Sequence, residues 1–145
     1  MLTLIISNLD KEEDLSKVRF SGITTLDWRL SKSITKKLPS SLKILKADKI
    51  SKLPKVLPEG ITIISSKSLT KINSVLPKSL RELRLDKIES LPEDLPDNIE
   101  VLFIPSVKKL PNKLPDNIKV IYCNHKLQLN ATTKDGIKFL FTDGI

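Results

Sequence analysis

The chain repeats itself every 19 residues. Copies start at residues 19, 38, 57, 76, 95, 114 and, incompletely, 133, and a fixed period near this length is the mark of like coils stacked on one another. With the positions of each copy numbered as slots 1 to 19, eight of the nine prolines fall on two slots. Pro39, Pro58, Pro77, Pro96 and Pro115 occupy slot 2, and Pro54, Pro92 and Pro111 occupy slot 17, leaving only Pro105 elsewhere. The aliphatic residues keep the same beat. Slot 5 reads Ile23, Leu42, Ile61, Leu80, Ile99, Ile118, Ile137, and slot 8 reads Leu26, Leu45, Ile64, Leu83, Leu102, Ile121, Leu140, without a break in seven copies. Slot 16 (Ile34, Leu53, Ile72, Leu91, Leu110, Leu129) and slot 13 (Ile50, Leu69, Ile88, Val107, Ile145) complete the inward set, with Ser31 and Lys126 as exceptions at slot 13.

Slots 8, 9 and 10 alternate inward, outward, inward, which is the two-residue period of a strand, and β-branched residues are common there. Each copy therefore supplies one short strand. Ahead of it, slots 3 and 4 hold pairs such as Ser40-Ser41, Glu59-Gly60, Asp97-Asn98 and Asp116-Asn117, residues suited to a tight corner. The stretch from slot 13 to slot 2 is too short for a helix. Its prolines lack donors and hold φ near the polyproline value, so it should return extended, with its outer side hydrated. One such coil cannot bury its aliphatics alone, and stacking on its neighbours does so. The strands then pair in parallel at roughly 4.8 Å, so that seven copies make a curved sheet about 30 Å long.

At 145 residues the chain fits one domain. Its aliphatic content, with six aromatics and only four glycines, is that of a folding chain. The apolar run Met1 to Ile6 is too short for a signal peptide's core or a membrane span. The single cysteine, Cys123, excludes an internal disulfide, which makes cytoplasmic residence the default. Residues 1 to 18 fit the beat poorly, since Ser7 and Glu12 stand where apolar residues belong, and they read as an N-terminal cap on the repeats of residues 19 to 145. Within the cap, Met1 to Ser7 reads as a lead strand, and Asp10 and Glu13 have capping-box spacing for a short helix to about Val18.

The pattern LPxxLxxLxLxx with a proline-marked return is clearest in LPSSLKILKA at 38 to 47, LPKSLRELRL at 76 to 85 and LPDNIEVLFI at 95 to 104. It resembles the short leucine-rich repeats of bacterial effectors of the YopM/IpaH type, over residues 19 to 145. The resemblance implies the α/β leucine-rich-repeat class: a right-handed solenoid with parallel strands on the concave side and an extended, polyproline-like convex side. It also implies delivery into the host cell cytoplasm by a specialised bacterial secretion system, a part in virulence, and a host protein as partner. The ligase members carry their cysteine-dependent activity in a separate domain, so the repeats imply no enzyme.

The residues themselves point away from chemistry. Cys123 sits on inward slot 10 beside Trp28, Ala47, Leu85 and Ile104, and a small buried hydrophobe explains it. One histidine, His125, and one cysteine make no ligand set, so neither a metal nor a cofactor is expected. Glu93, Asp94, Asp97 and Asp116 lie in proline-bounded corners without a base or nucleophile, and no glycine-rich phosphate loop is present.

The net charge of +8, with −2 in residues 1 to 18 and +10 in the remainder, raises an alternative: a basic binder of nucleic acid or anionic membrane. On the concave face, however, slot 9 (Asp27, Lys46, Ser65, Arg84, Phe103, Tyr122, Phe141) and slot 11 (Arg29, Asp48, Lys67, Asp86, Pro105, Asn124, Asp143) interleave acids with bases, which disfavours nucleic acid there. A targeting fragment of a split or lost enzyme is a further alternative. The concave aromatics are the sharper signal. Phe103, Tyr122, Phe139 and Phe141 fall on outward slots 7 and 9 and, with Val101 and Val120, predict an apolar patch large enough to mark a protein partner. A second copy of the chain could cover the same patch at the C-terminal edge, giving a homodimer. Asp27, Lys46, Asp48, Lys67, Arg84, Asp86 and Lys87, on the earlier strands, would orient the partner by their mixed charges.

Overall fold

The computed structural model describes residues 2–7, 21–31, 33–35, 37–127 and 136–142. Its strands are Thr3–Ile6 (β1), Thr25–Trp28 (β2), Ile44–Lys46 (β3), Ile63–Ser66 (β4), Glu82–Leu85 (β5), Val101–Ile104 (β6), Val120–Cys123 (β7) and Lys138–Phe141 (β8). From β2 to β7 they begin on slot 7, where the sequence starts its two-residue alternation. All eight lie in one parallel sheet in chain order, and the chain is a β-solenoid of about six turns. No helix occurs among the described residues, so the α/β expectation is met only in its strands. The helix expected from Asp10 to Val18 lies outside them.

Register carries the repeat into space. Leu26, Leu45, Ile64, Leu83, Leu102 and Ile121 pair successively across the sheet, and every one of them is fully buried. The slot 5 residues Ile23 to Ile118 and the slot 13 residues Ile50, Leu69, Ile88 and Val107 are buried beside them, whereas Ser31 and Lys126 are exposed, as their polarity requires. At slot 6 each backbone N–H donates to the carbonyl of the same slot one coil earlier. Lys43 to Thr24, Thr62 to Lys43, Arg81 to Thr62, Glu100 to Arg81 and Lys119 to Glu100 span 2.7 to 2.8 Å. One chain of hydrogen bonds thus ties successive coils at the same place.

The recurrent proline is explained at the corner. The slot 2 carbonyl accepts the slot 5 N–H, as from Leu42 to Pro39 at 3.2 Å, Leu80 to Pro77 at 3.1 Å and Ile99 to Pro96 at 3.3 Å, closing a four-residue turn in which proline needs no donor. The slot 4 side chain then fastens the corner to the coil before it. Ser41 donates to the Ile23 carbonyl and Ser79 to the Ile61 carbonyl, both at 2.7 Å, while the longer Asn98 and Asn117 reach the Lys78 and Asp97 carbonyls at 2.9 and 2.8 Å. In the third copy this slot is Gly60, where an added Cβ would stand 3.3 Å from the Ser40 carbonyl oxygen and 2.9 Å from Lys43 Nζ. A side chain there would have to displace the end of Lys43 and press on the Ser40 carbonyl, so this corner is tighter than its neighbours.

The return is extended, and its outer slots 14, 15, 18 and 19 are largely exposed. Its inner side is more apolar than slots 13 and 16 alone would make it: the slot 1 leucines Leu38, Leu57, Leu76, Leu95 and Leu114 are all buried, as are Pro54, Pro77, Pro111 and Pro115. The leucine of each Leu-Pro pair anchors the return to the core, and the proline turns it.

The two ends depart from the 19-residue beat. β1 leads the sheet at a spacing of 22, with Leu4 beside Leu26 and Ile6 beside Trp28. At the other end β8 pairs at a spacing of 18: Ile121 with Phe139, Tyr122 with Leu140 and Cys123 with Phe141. The sixth copy also departs at its return, where the Leu127 N–H closes on the Asn124 carbonyl, one residue later than the equivalent bond from Val107 to Ile104. Leu127 takes the buried place that Lys126 cannot fill. A slip of one residue turns every side chain of a strand over. Phe139 therefore packs against the core, Phe141 joins the column of Cys123 with 54% of its surface exposed at the open end, and Leu140 moves to the outer face. The expectation that Phe139 and Phe141 face outward with Tyr122 is corrected accordingly.

Two stability measurements test this packing. Leu83→Ala should lower the unfolding free energy by about 2–5 kcal/mol in urea titration, whereas Val75→Ala, on an exposed return slot, should change it by less than about 0.5 kcal/mol. Phe139→Ala should destabilise by about 1–2 kcal/mol and by more than Leu140→Ala; the reverse order would contradict the register of β8.

Candidate functional site

The outward slots of β2 to β7 form one continuous face. Every strand but the two outermost is hydrogen-bonded on both sides, so the face offers no backbone donors to a ligand and can recognise one only through side chains. Its chemistry changes along the stack.

In the early coils the charges satisfy one another. Arg29 binds Asp27 through Nε and Nη2 at 3.2 and 3.1 Å, Lys46 Nζ lies 3.9 Å from Asp48 Oδ2, and Arg84 binds Glu82 at 2.8 Å. Each is a pair two residues apart on the same side of one coil, where the pleat brings alternate side chains together. Of the charged candidates, Asp27, Lys46, Asp48 and Arg84 are thus occupied within the face. Lys67, Asp86 and Lys87 form no ion pair with a described residue; Lys67 and Lys87 are exposed, and Asp86 is half-buried. Asp48 also keeps Oδ1 buried without a hydrogen-bond partner.

In β6 and β7 the face becomes apolar. Val101 stands beside Val120 and Phe103 beside Tyr122, and the two rings meet at a centroid distance of 5.6 Å with a 42° tilt, an arrangement that aromatic quadrupoles favour. All four are half-buried, because side chains on adjacent strands shield one another. Leu140 extends the row next to Tyr122, and Pro105 continues the same coil past Phe103. The structure therefore brings together Val101, Phe103, Val120 and Tyr122, adds Leu140, and excludes Phe139 and Phe141.

Two further apolar members lie in the earlier coils. Ile44 and Ile63 pair on slot 7, half-buried on the outer face, in a row that continues through Glu82 to Val101 and Val120. The signal is in the sequence: slot 7 holds an aliphatic in four of its first six copies. Ile5, beside Asp27 on β1, is 50% exposed at the N-terminal end of the same face.

Cys123 is buried at the inner end of β7. Among the described residues no helix is long and apolar enough to cross a membrane.

No family model matches the chain and no curated protein matches it, so what the face does is read from its own side chains.

Proposed function

We propose that the protein is a binding module of the leucine-rich-repeat kind, which captures a partner protein on the outer face of its sheet and performs no chemistry of its own. The observation that carries this reading is the Phe103–Tyr122 ring contact, set among Val101, Val120 and Leu140 on a face whose other half is charged. Aromatic anchors in an apolar surround supply most of the binding energy in protein interfaces, and Tyr122 adds a hydroxyl that can fix the partner's angle. The earlier coils contribute selectivity. Their ion pairs are already closed, so a partner gains little from displacing them, while Lys67, Asp86 and Lys87 remain for pairing and penalise a mismatched charge.

The leucine-rich-repeat assignment, and with it a role as a bacterial effector inside a host cell, is supported by the motif at 38 to 47, 76 to 85 and 95 to 104 and by the solenoid built on it. The parallel sheet and extended return agree with that assignment; the partner would then be a host protein.

Phe103→Asp with Tyr122→Asp should weaken capture of the partner by about thirtyfold or more for each residue, while circular dichroism stays unchanged because both side chains lie outside the core. Affinity capture from host lysate with the native and doubly substituted proteins, compared by mass spectrometry, measures this. An identical set of captured proteins would remove the face from consideration.

A further inference from the structure

The charge of the chain is not spread along the stack. Residues 31–79 hold eleven lysines against Asp48 and Glu59, a net +9, so at +8 overall the rest of the chain sums to −1. Of these lysines, Lys37, Lys52, Lys55, Lys71 and Lys78 lie on the return or its corner, all exposed, and none forms an ion pair with a described residue. Lys52 and Lys71 share slot 15 on adjacent coils, and the spacing of stacked strands puts their backbones roughly 5 Å apart. Like charges so placed repel. By contrast, Arg81, Glu100 and Lys119 on slot 6 alternate in sign, with Glu100 at 3.3 Å from Arg81 and 3.5 Å from Lys119.

The same surface exposes aliphatic side chains. Val56 and Val75, together on slot 19, are 76% and 89% exposed, and neither touches the core. Val56 also lines a groove of about 650 Å³ between the first two returns, floored by Ile34, Leu53 and Pro54 and rimmed by Lys37, Lys52 and Lys55.

We propose that this return side of the first three copies docks on the surface of an anionic lipid bilayer, with the lysines on the headgroups and Val56 and Val75 at the acyl boundary. The residue types favour lipid over nucleic acid. Residues 31–79 contain no arginine and no aromatic, the groups that grip phosphodiesters bidentately and stack on bases. Lysines surrounding exposed aliphatics suit an interface that is charged outside and apolar just beneath. The surface lies on the return, away from the outer face of the sheet, so a membrane-bound molecule would still present Phe103 and Tyr122 to a partner.

Sedimentation of the full chain with vesicles tests the proposal. Vesicles of phosphatidylcholine mixed with phosphatidylserine should bind it, and phosphatidylcholine alone should not. Each lysine is worth about fivefold near such a leaflet, so Lys52→Gln/Lys55→Gln/Lys71→Gln should weaken binding about a hundredfold. Val56→Ser/Val75→Ser should weaken it about tenfold, and Phe103→Asp/Tyr122→Asp should leave it intact. All the substituted side chains are outside the core, and circular dichroism verifies the fold. Equal binding to neutral and anionic vesicles, an unaffected lysine variant, loss of binding in the aromatic variant, or duplex DNA bound as tightly as the anionic vesicles would each overturn it.

Discussion

Parallel pairing in a constant register is the constraint on which the structure rests. Because Leu26, Leu45, Ile64, Leu83, Leu102 and Ile121 meet in one row, each coil needs an inward aliphatic at the same place and must return in the same number of residues. Everything else in the repeat serves that return. The proline carbonyl closes the corner on the slot 5 N–H, the slot 4 serine or asparagine ties the corner to the coil before it, and the slot 1 leucine fixes the outer arm to the core. Side chains that project outward are released from this duty, which is why they are free to vary along the stack and to carry function.

The interior was legible in the sequence for a physical reason: a stacked coil has no other neighbour than its own copy, so the demand on slots 5 and 8 is renewed every 19 residues. Strands and corners could be placed from periodicity, and Ser31 and Lys126 stood out as exceptions at slot 13, which the structure leaves exposed. The register of β8 could not. Period counting treats Leu140 as inward, while the pairing places Phe139 beside Ile121 and packs it against the core. The buried slot 1 leucines were obscured by their prolines, which draw attention to the turn and away from the residue before it. On the outer face the contact of Phe103 with Tyr122 was legible, whereas Ile44 and Ile63 stand out only once the register pairs them on slot 7.

The two sides of the coil divide the chemistry. On the sheet side, charges two residues apart neutralise one another through β2, β3 and β5, leaving an apolar end at β6 and β7 as the place where burial against a partner brings the largest gain. On the return side the balance is reversed: positive charge accumulates over the first three copies without matching acids, at a cost in self-repulsion that a neutralising surface would relieve. A solenoid permits this separation because neither surface supplies the core. Substitutions on one should leave both the fold and the other surface undisturbed.

The constant register is tested most directly by methyl nuclear Overhauser spectroscopy on protein labelled at leucine and isoleucine methyls. Cross-peaks should link Leu45 to Ile64, Ile64 to Leu83, Leu83 to Leu102 and Leu102 to Ile121 in unbroken order, with none that skips a coil. Direct contact between Leu45 and Leu102, or silence between Ile64 and Leu83, would contradict the stacked architecture and everything derived from it.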